Sequence, residues 1–105
     1  MRKYAILNNK INNVEKIMLY KKNDDVYLFF YDSDIDSPGF ADKCVNTISD
    51  AEEICLEEFN VQLTDWILIK DPLEDCQDDL ISPIRVKGRN LKQPKWGEYE
   101  ILVNN

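Results

Sequence analysis

A chain of 105 residues with 44% hydrophobic and 31% charged side chains is long enough for one domain with its own core and too apolar for wholesale disorder. No apolar run approaches the ~18 residues of a membrane span, and Tyr4-Ala5-Ile6-Leu7 gives way at once to Asn8, Asn9 and Lys10 instead of a signal-peptide core, so a cytoplasmic protein is expected. The lack of any histidine removes Ser-His and Cys-His nucleophile pairs and histidine metal sites, and a net charge of −7 makes nucleic acid a poor partner.

In chain order, Tyr4 to Leu7 reads as a first strand and the polar segment Asn8 to Asn13 as a turn or loop. Lys16 to Tyr20 and Val26 to Tyr31 are β-branched and aromatic runs. Between them, Lys21 to Asp25 carries the Asn and Asp residues of a hairpin turn. The second arm is apolar on both faces, as Tyr27, Phe29 and Tyr31 alternate with Val26, Leu28 and Phe30. Such a strand belongs in the middle of a sheet, with a helix over one face and other cover over the second.

Asp32 to Gly39 begins like a calcium loop, with carboxylates at alternate positions. It then places Ser37 where the sharp-turn glycine belongs and Lys43 where the bidentate glutamate belongs, so an Asx-rich turn is expected and no metal or other cofactor. A helix follows. Ser49 with Glu52 makes a capping box, and Thr47 before Asp50 offers an overlapping start. Ala51, Ile54, Cys55 and Phe59 share one face of it, while Glu52, Glu53, Glu57 and Glu58 point mostly outward. Glu57 and Glu58 oppose the helix dipole, and solubility or a basic partner explains them equally well.

Asn60 suits a left-handed helix end, and Trp66 to Ile69 reads as a buried strand stopped by Asp71-Pro72. From Asp71 to Gly97 the chain offers only Ile84 to Lys87 as a short strand, and so long a connection is expected to be functional. Tyr99 to Val103 then reads as a closing strand. Cys44, Cys55 and Cys76 form no paired motif and are taken as apolar fillers. The fold class expected is α+β, one domain with an antiparallel twisted sheet of about five strands and one main helix packed on a face.

Charge is unevenly placed. Residues 1–22 carry +5, residues 23–79 carry −15 and residues 80–105 carry +3. The candidate docking surface is the acidic middle, taken as one face from Asp50 to Asp79, with Glu53, Glu57, Glu58, Glu74, Asp75, Asp78 and Asp79, for a basic protein partner. Arg85 and Arg89 are expected in an internal ion-pair network in which one or the other pins the acidic loop through bidentate contacts. Trp96, beside Gly97, is either a lid on the core or an exposed anchor for a partner, and its burial decides which. The loop carboxylates Glu74, Asp75, Asp78 and Asp79 also admit a carboxylate-based enzyme, if they converge in a pocket. A structural or accessory domain is the third reading.

The run Asp71-Pro72-Leu73-Glu74-Asp75-Cys76-Gln77-Asp78-Asp79, with Ile81 to Asn90 and Pro94-Lys95-Trp96-Gly97, resembles the small α+β immunity proteins of bacterial polymorphic toxin systems. The preceding Ser49 to Glu53 segment with Cys55, and Trp66 before the Asp-Pro, fit the same pattern across roughly the second half of the chain. The resemblance implies a cytoplasmic, non-enzymatic protein that binds and neutralises a cognate toxin.

Overall fold

The structure is a computed structural model describing residues 1–73 and 76–102; the expectations placed on Glu74, Asp75 and Val103 lie outside the described residues. Seven strands and one α-helix are described. They are β1 (Arg2–Ile11), β2 (Val14–Lys22), β3 (Asp25–Tyr31), β4 (Ala41–Val45), α1 (Ile48–Phe59), β5 (Ile67–Ile69), β6 (Ile84–Val86) and β7 (Tyr99–Ile101). Five strands form an antiparallel sheet in the order β4-β3-β2-β1-β5, and β6 pairs with β7 in a separate two-stranded sheet. The α+β class and the single main helix are as expected.

Asparagine sets both hairpins. Asn12 and Asn13 have φ of 51° and 67°, the two left-handed central residues of the tight turn that matches strand twist. Asn8 to Ile11, expected to be loop, therefore belong to β1. Asn8, Asn9 and Lys10 are polar and exposed, since β5 pairs only with Arg2 to Tyr4 and no described strand lies outside the rest of β1, while Ile11 packs against the core. Asn23, with φ 56°, turns β2 into β3. Register then fixes the faces. Ala5 opposes Ile17, Ile17 opposes Phe30 and Leu19 opposes Leu28, so these side chains share the face under α1.

The helix starts at Thr47, whose hydroxyl accepts from the Asp50 amide at 3.0 Å, so of the two overlapping starts the earlier one is used. It ends at Asn60, φ 56°, whose amide donates to the Cys55 and Leu56 carbonyls. Ala51 and Cys55 are fully buried against Ile17, Leu19, Val26 and Leu28, with Ile54 and Phe59 packed at the edge of that core. The Phe59 ring meets Phe30 at 5.6 Å between centroids.

Three expectations are corrected. The sheet contains β4, absent from the reading above because Ala41-Asp42-Lys43-Cys44-Val45 lacks a buried apolar pattern; an edge strand needs none, and charge on it discourages stray pairing. β5 is three residues long and mostly exposed, with Leu68 73% accessible, because an edge strand beyond the reach of α1 has nothing over it. Only Trp66, just before it, packs on the core. β7 does not close the main sheet; its partner is β6, with Arg85 opposite Glu100.

Candidate functional site

Alternation sends Arg2, Lys16, Met18, Tyr20 and Tyr31 to the sheet face opposite α1, and all five are buried. Their cover is irregular chain, from the segment after β3 and from the long connection after β5. Arg2 is 2% exposed. Its Nε donates to the Lys70 carbonyl at 2.9 Å and its Nη1 to the Asp78 carbonyl at 2.9 Å, with a further short bond to the Leu80 carbonyl. Lys16, 1% exposed, lies 4.4 Å over the Tyr31 ring and donates to the Ile35 carbonyl at 3.1 Å. Burial pushes the pKa of both cations down, and nearby acidic groups, Asp36 among them, oppose the shift.

The two loops are also tied to each other. The Asp36 carboxylate accepts from the Ile81 and Ser82 amides, each at 2.8 Å, and Asp79 Oδ2 accepts from the Gly39 amide at 2.9 Å. Burial acts to raise the Asp36 pKa, but bonds from the Ser82 side chain and the Ile81 and Ser82 amides, with the Lys16 charge, outweigh it and hold it low. Tyr31 donates its hydroxyl to the Asp79 carbonyl, and its own pKa is driven up by burial and then by the Asp79 charge.

This geometry reassigns most of the sequence-predicted site. Asp78 and Asp79 lie on the face opposite α1; Asp79 is used in the Gly39 contact, and Asp78 has Lys22 Nζ 3.7 Å away. Glu53, Glu57 and Glu58 are exposed on α1, whose side of the sheet is marked by the Lys3 to Glu52 ion pair at 2.9 Å. A single acidic face from Asp50 to Asp79 is therefore not formed: a five-stranded sheet separates the helix carboxylates from those of the loop. Among the described residues Arg85 makes no ion pair with the acidic loop; it bonds Glu100 across β6 and β7. Arg89 is exposed and lines a cleft of about 440 Å³ with Tyr20, Lys22 and Gln77. The residue that does hold the loop is Arg2, which the sequence hid because a lone cation in a strand looks like any surface residue. Trp96 is 78% exposed, so it is no core lid. It sits in the turn before β7, where no hydrogen bond, ion pair or ring contact among the described residues ties it to α1.

The described loop carboxylates do not converge. Asp71 meets the Met1 ammonium at 2.9 Å, Asp78 faces Lys22 and Asp79 is turned to Gly39. Nor do the described residues contain a group of three or more metal-ligating side chains. What the structure does assemble is a groove of about 390 Å³ between the end of β4 and α1. Val45 and Ile54 supply its apolar floor, and Asp50, Glu53 and Glu57 its rim. No basic residue lines it, and these three carboxylates take part in no ion pair among the described residues. No helix of the described residues is long and apolar enough to cross a membrane. Comparison with protein-family models, curated proteins and solved structures returns no match to the chain.

Proposed function

We propose that the protein is a non-enzymatic binding domain that takes a basic protein on the α1 side of its sheet, in the manner of an immunity protein neutralising a cognate toxin in the cytoplasm. The observation that carries this reading is the groove between β4 and α1, where three unpaired carboxylates surround an apolar floor. A lysine or arginine laid there buries its stem on Ile54 and Val45 and meets Glu53 or Glu57 with its tip. The toxin part rests on the resemblance of the second half of the chain. Among the carboxylates singled out from sequence, Glu53 and Glu57 are retained for this role, and Asp78 and Asp79 pass to loop anchoring.

The test is a growth assay. Proteins retained by the immobilised chain at low salt are identified, and each is expressed with and without it. Expected is a basic protein that arrests growth alone and is silenced by the wild-type chain, with protection lost when Glu53→Gln and Glu57→Gln are combined. Removing two rim charges should weaken binding on the order of tenfold, about 1.4 kcal/mol, and slow association more than it speeds release. If no retained protein is toxic, or the double variant protects fully, the reading fails.

A further inference from the structure

We propose that the partner docks by adding an extended segment to the open edge of β4, with a basic residue level with Val45. This rests on the reading of the β4 and α1 groove as the binding face and adds the shape and pattern of what enters it. In the strand order β4-β3-β2-β1-β5, the outer side of β4 faces no described strand, and four of its five residues are exposed. Such an edge presents a row of backbone donors and acceptors that another extended chain satisfies.

A strand added there runs about 4.8 Å outside β4 and turns its side chains alternately to the two faces of the sheet. Ala41, Lys43 and Val45 oppose Phe30, Leu28 and Val26, which face α1. The added residue level with Val45 therefore reaches the groove rimmed by Asp50, Glu53 and Glu57, and a basic one is favoured. The one level with Lys43 is favoured neutral or acidic. The intervening residues turn to the other face, level with exposed Asp42 and Cys44 and beside the stacked, partly buried Tyr27 and Phe29 rings, 6.2 Å apart, and the one level with Cys44 is favoured apolar. A second copy of this chain fits worse: with faces matched and the pairing centred, Lys43 would meet Lys43. Of the sheet's other open stretches, β5 is only three residues long, and the distal part of β1 offers Asn8, Asn9 and Lys10 and a smaller hollow whose only carboxylate is Asp65.

Two peptides of about seven residues separate pairing from mere attraction: one alternating Lys and Val in one half and Thr and Val in the other, and the same peptide N-methylated at alternate amides. Both carry the same charge, but the second cannot form the ladder. Expected are slowed amide exchange in β4, NMR shifts at Val45 and Ile54, about tenfold weaker binding by the N-methylated peptide, and a similar loss with the Glu53→Gln and Glu57→Gln double variant. Equal binding of both peptides, weakened by the double variant, overturns the edge while leaving the acidic groove standing. Protection at β1, β5 or β7 in place of β4 overturns the inference, as does binding by neither peptide at about millimolar concentration; the growth assay then decides the proposed function on its own.

Discussion

Replacing Arg2 by Ala should loosen the whole face of the sheet opposite α1. The guanidinium donates to the carbonyls of Lys70, Asp78 and Leu80 at bonding distance and approaches that of Ile81 at 3.5 Å. Lys70 is exposed, so its carbonyl can recruit water once the arginine is gone. The Leu80 and Asp78 carbonyls lie in buried or partly buried bonds and cannot do so as easily, and each orphaned acceptor costs about 1–3 kcal/mol. With the lost packing of a buried side chain, Arg2→Ala should cost about 3–5 kcal/mol, a large share of the ~5–15 kcal/mol that holds a small domain folded. Arg2→Lys keeps the charge but can reach only one or two of those carbonyls, and should fall near half that loss. Urea unfolding gives the totals. Native-state hydrogen exchange gives their location: the Ile81, Ser82 and Gly39 amides should lose protection before those of β2 and β3. A loss under about 0.5 kcal/mol, typical of a surface site, or exchange that rises evenly through the sheet, would refute the view that one cation holds the loop.

Asp36→Asn should cost about 0.5–1.5 kcal/mol, because the amide keeps one acceptor oxygen where the carboxylate used two, and the amide left over, in a solvent-exposed bond, can recruit water. The folded pKa of Asp36 lies below the ordinary 3.8, so the stability it lends is complete above that value and is lost as pH falls through the folded pKa. The difference between wild type and variant in thermal melts should therefore narrow below about pH 4, and a difference constant down to pH 2 would contradict the assignment. Gly88 has φ +79°, and a Cβ there would stand 2.4 Å from the Gln93 carbonyl oxygen. Gly88→Ala should disturb the β6 and β7 sheet by about 1–3 kcal/mol, seen as faster exchange at Lys95 and Gln93, whereas Gly97→Ala meets open space and pays only for its φ of +89°. Burial pushes the Cys55 thiol up to about 12, with Glu58 and Glu52 adding to the shift. At pH 8 in native buffer an alkylating reagent should label exposed Cys44 and leave Cys55 untouched until urea is added; early labelling of Cys55 would mean that α1 lifts from the sheet.

Local chemistry decided what could be read without coordinates. The Asn23 turn, the Asn60 helix end and the Ala51, Ile54, Cys55, Phe59 face each follow from a few adjacent residues, and so did the sheet with one helix over it. The two-faced pattern of β3 also showed that a second cover was needed. What stayed hidden depends on contacts distant in sequence. Arg2 meets carbonyls 68 to 79 residues away, and Asp36 meets amides 45 and 46 residues away. Neither leaves a local mark. The pairing of β6 with β7 was missed for a different reason: both are short amphipathic strands, and nothing in Ile84 to Lys87 or Tyr99 to Ile101 says which sheet they join.

The cationic first hairpin and the acidic middle take on a different meaning once the contacts are known. Of the six basic residues in 1–22, Arg2 and Lys16 are buried beneath the loops, Lys3 pairs with Glu52 and Lys22 approaches Asp78. Much of the charge asymmetry is therefore spent inside the fold. A helix over that face would offer the two buried cations few free acceptors, since its carbonyls are already bonded within it. Irregular chain has carbonyls to spare, and its Asp36 and Asp79 side chains accept the amides it leaves open. Buried Arg2 and Lys16 on one face thus call for a loop there and leave the other to α1. It follows that charge left unpaired after this internal use is the better guide to a partner than the gross excess. By that measure Asp50, Glu53 and Glu57 remain available, and the apolar Val45 and Ile54 beside them set them apart from other carboxylates without an ion pair among the described residues, such as Asp24, Asp32, Asp34 and Glu58; reversing Lys22 or Asp78 should alter stability without touching what the groove binds.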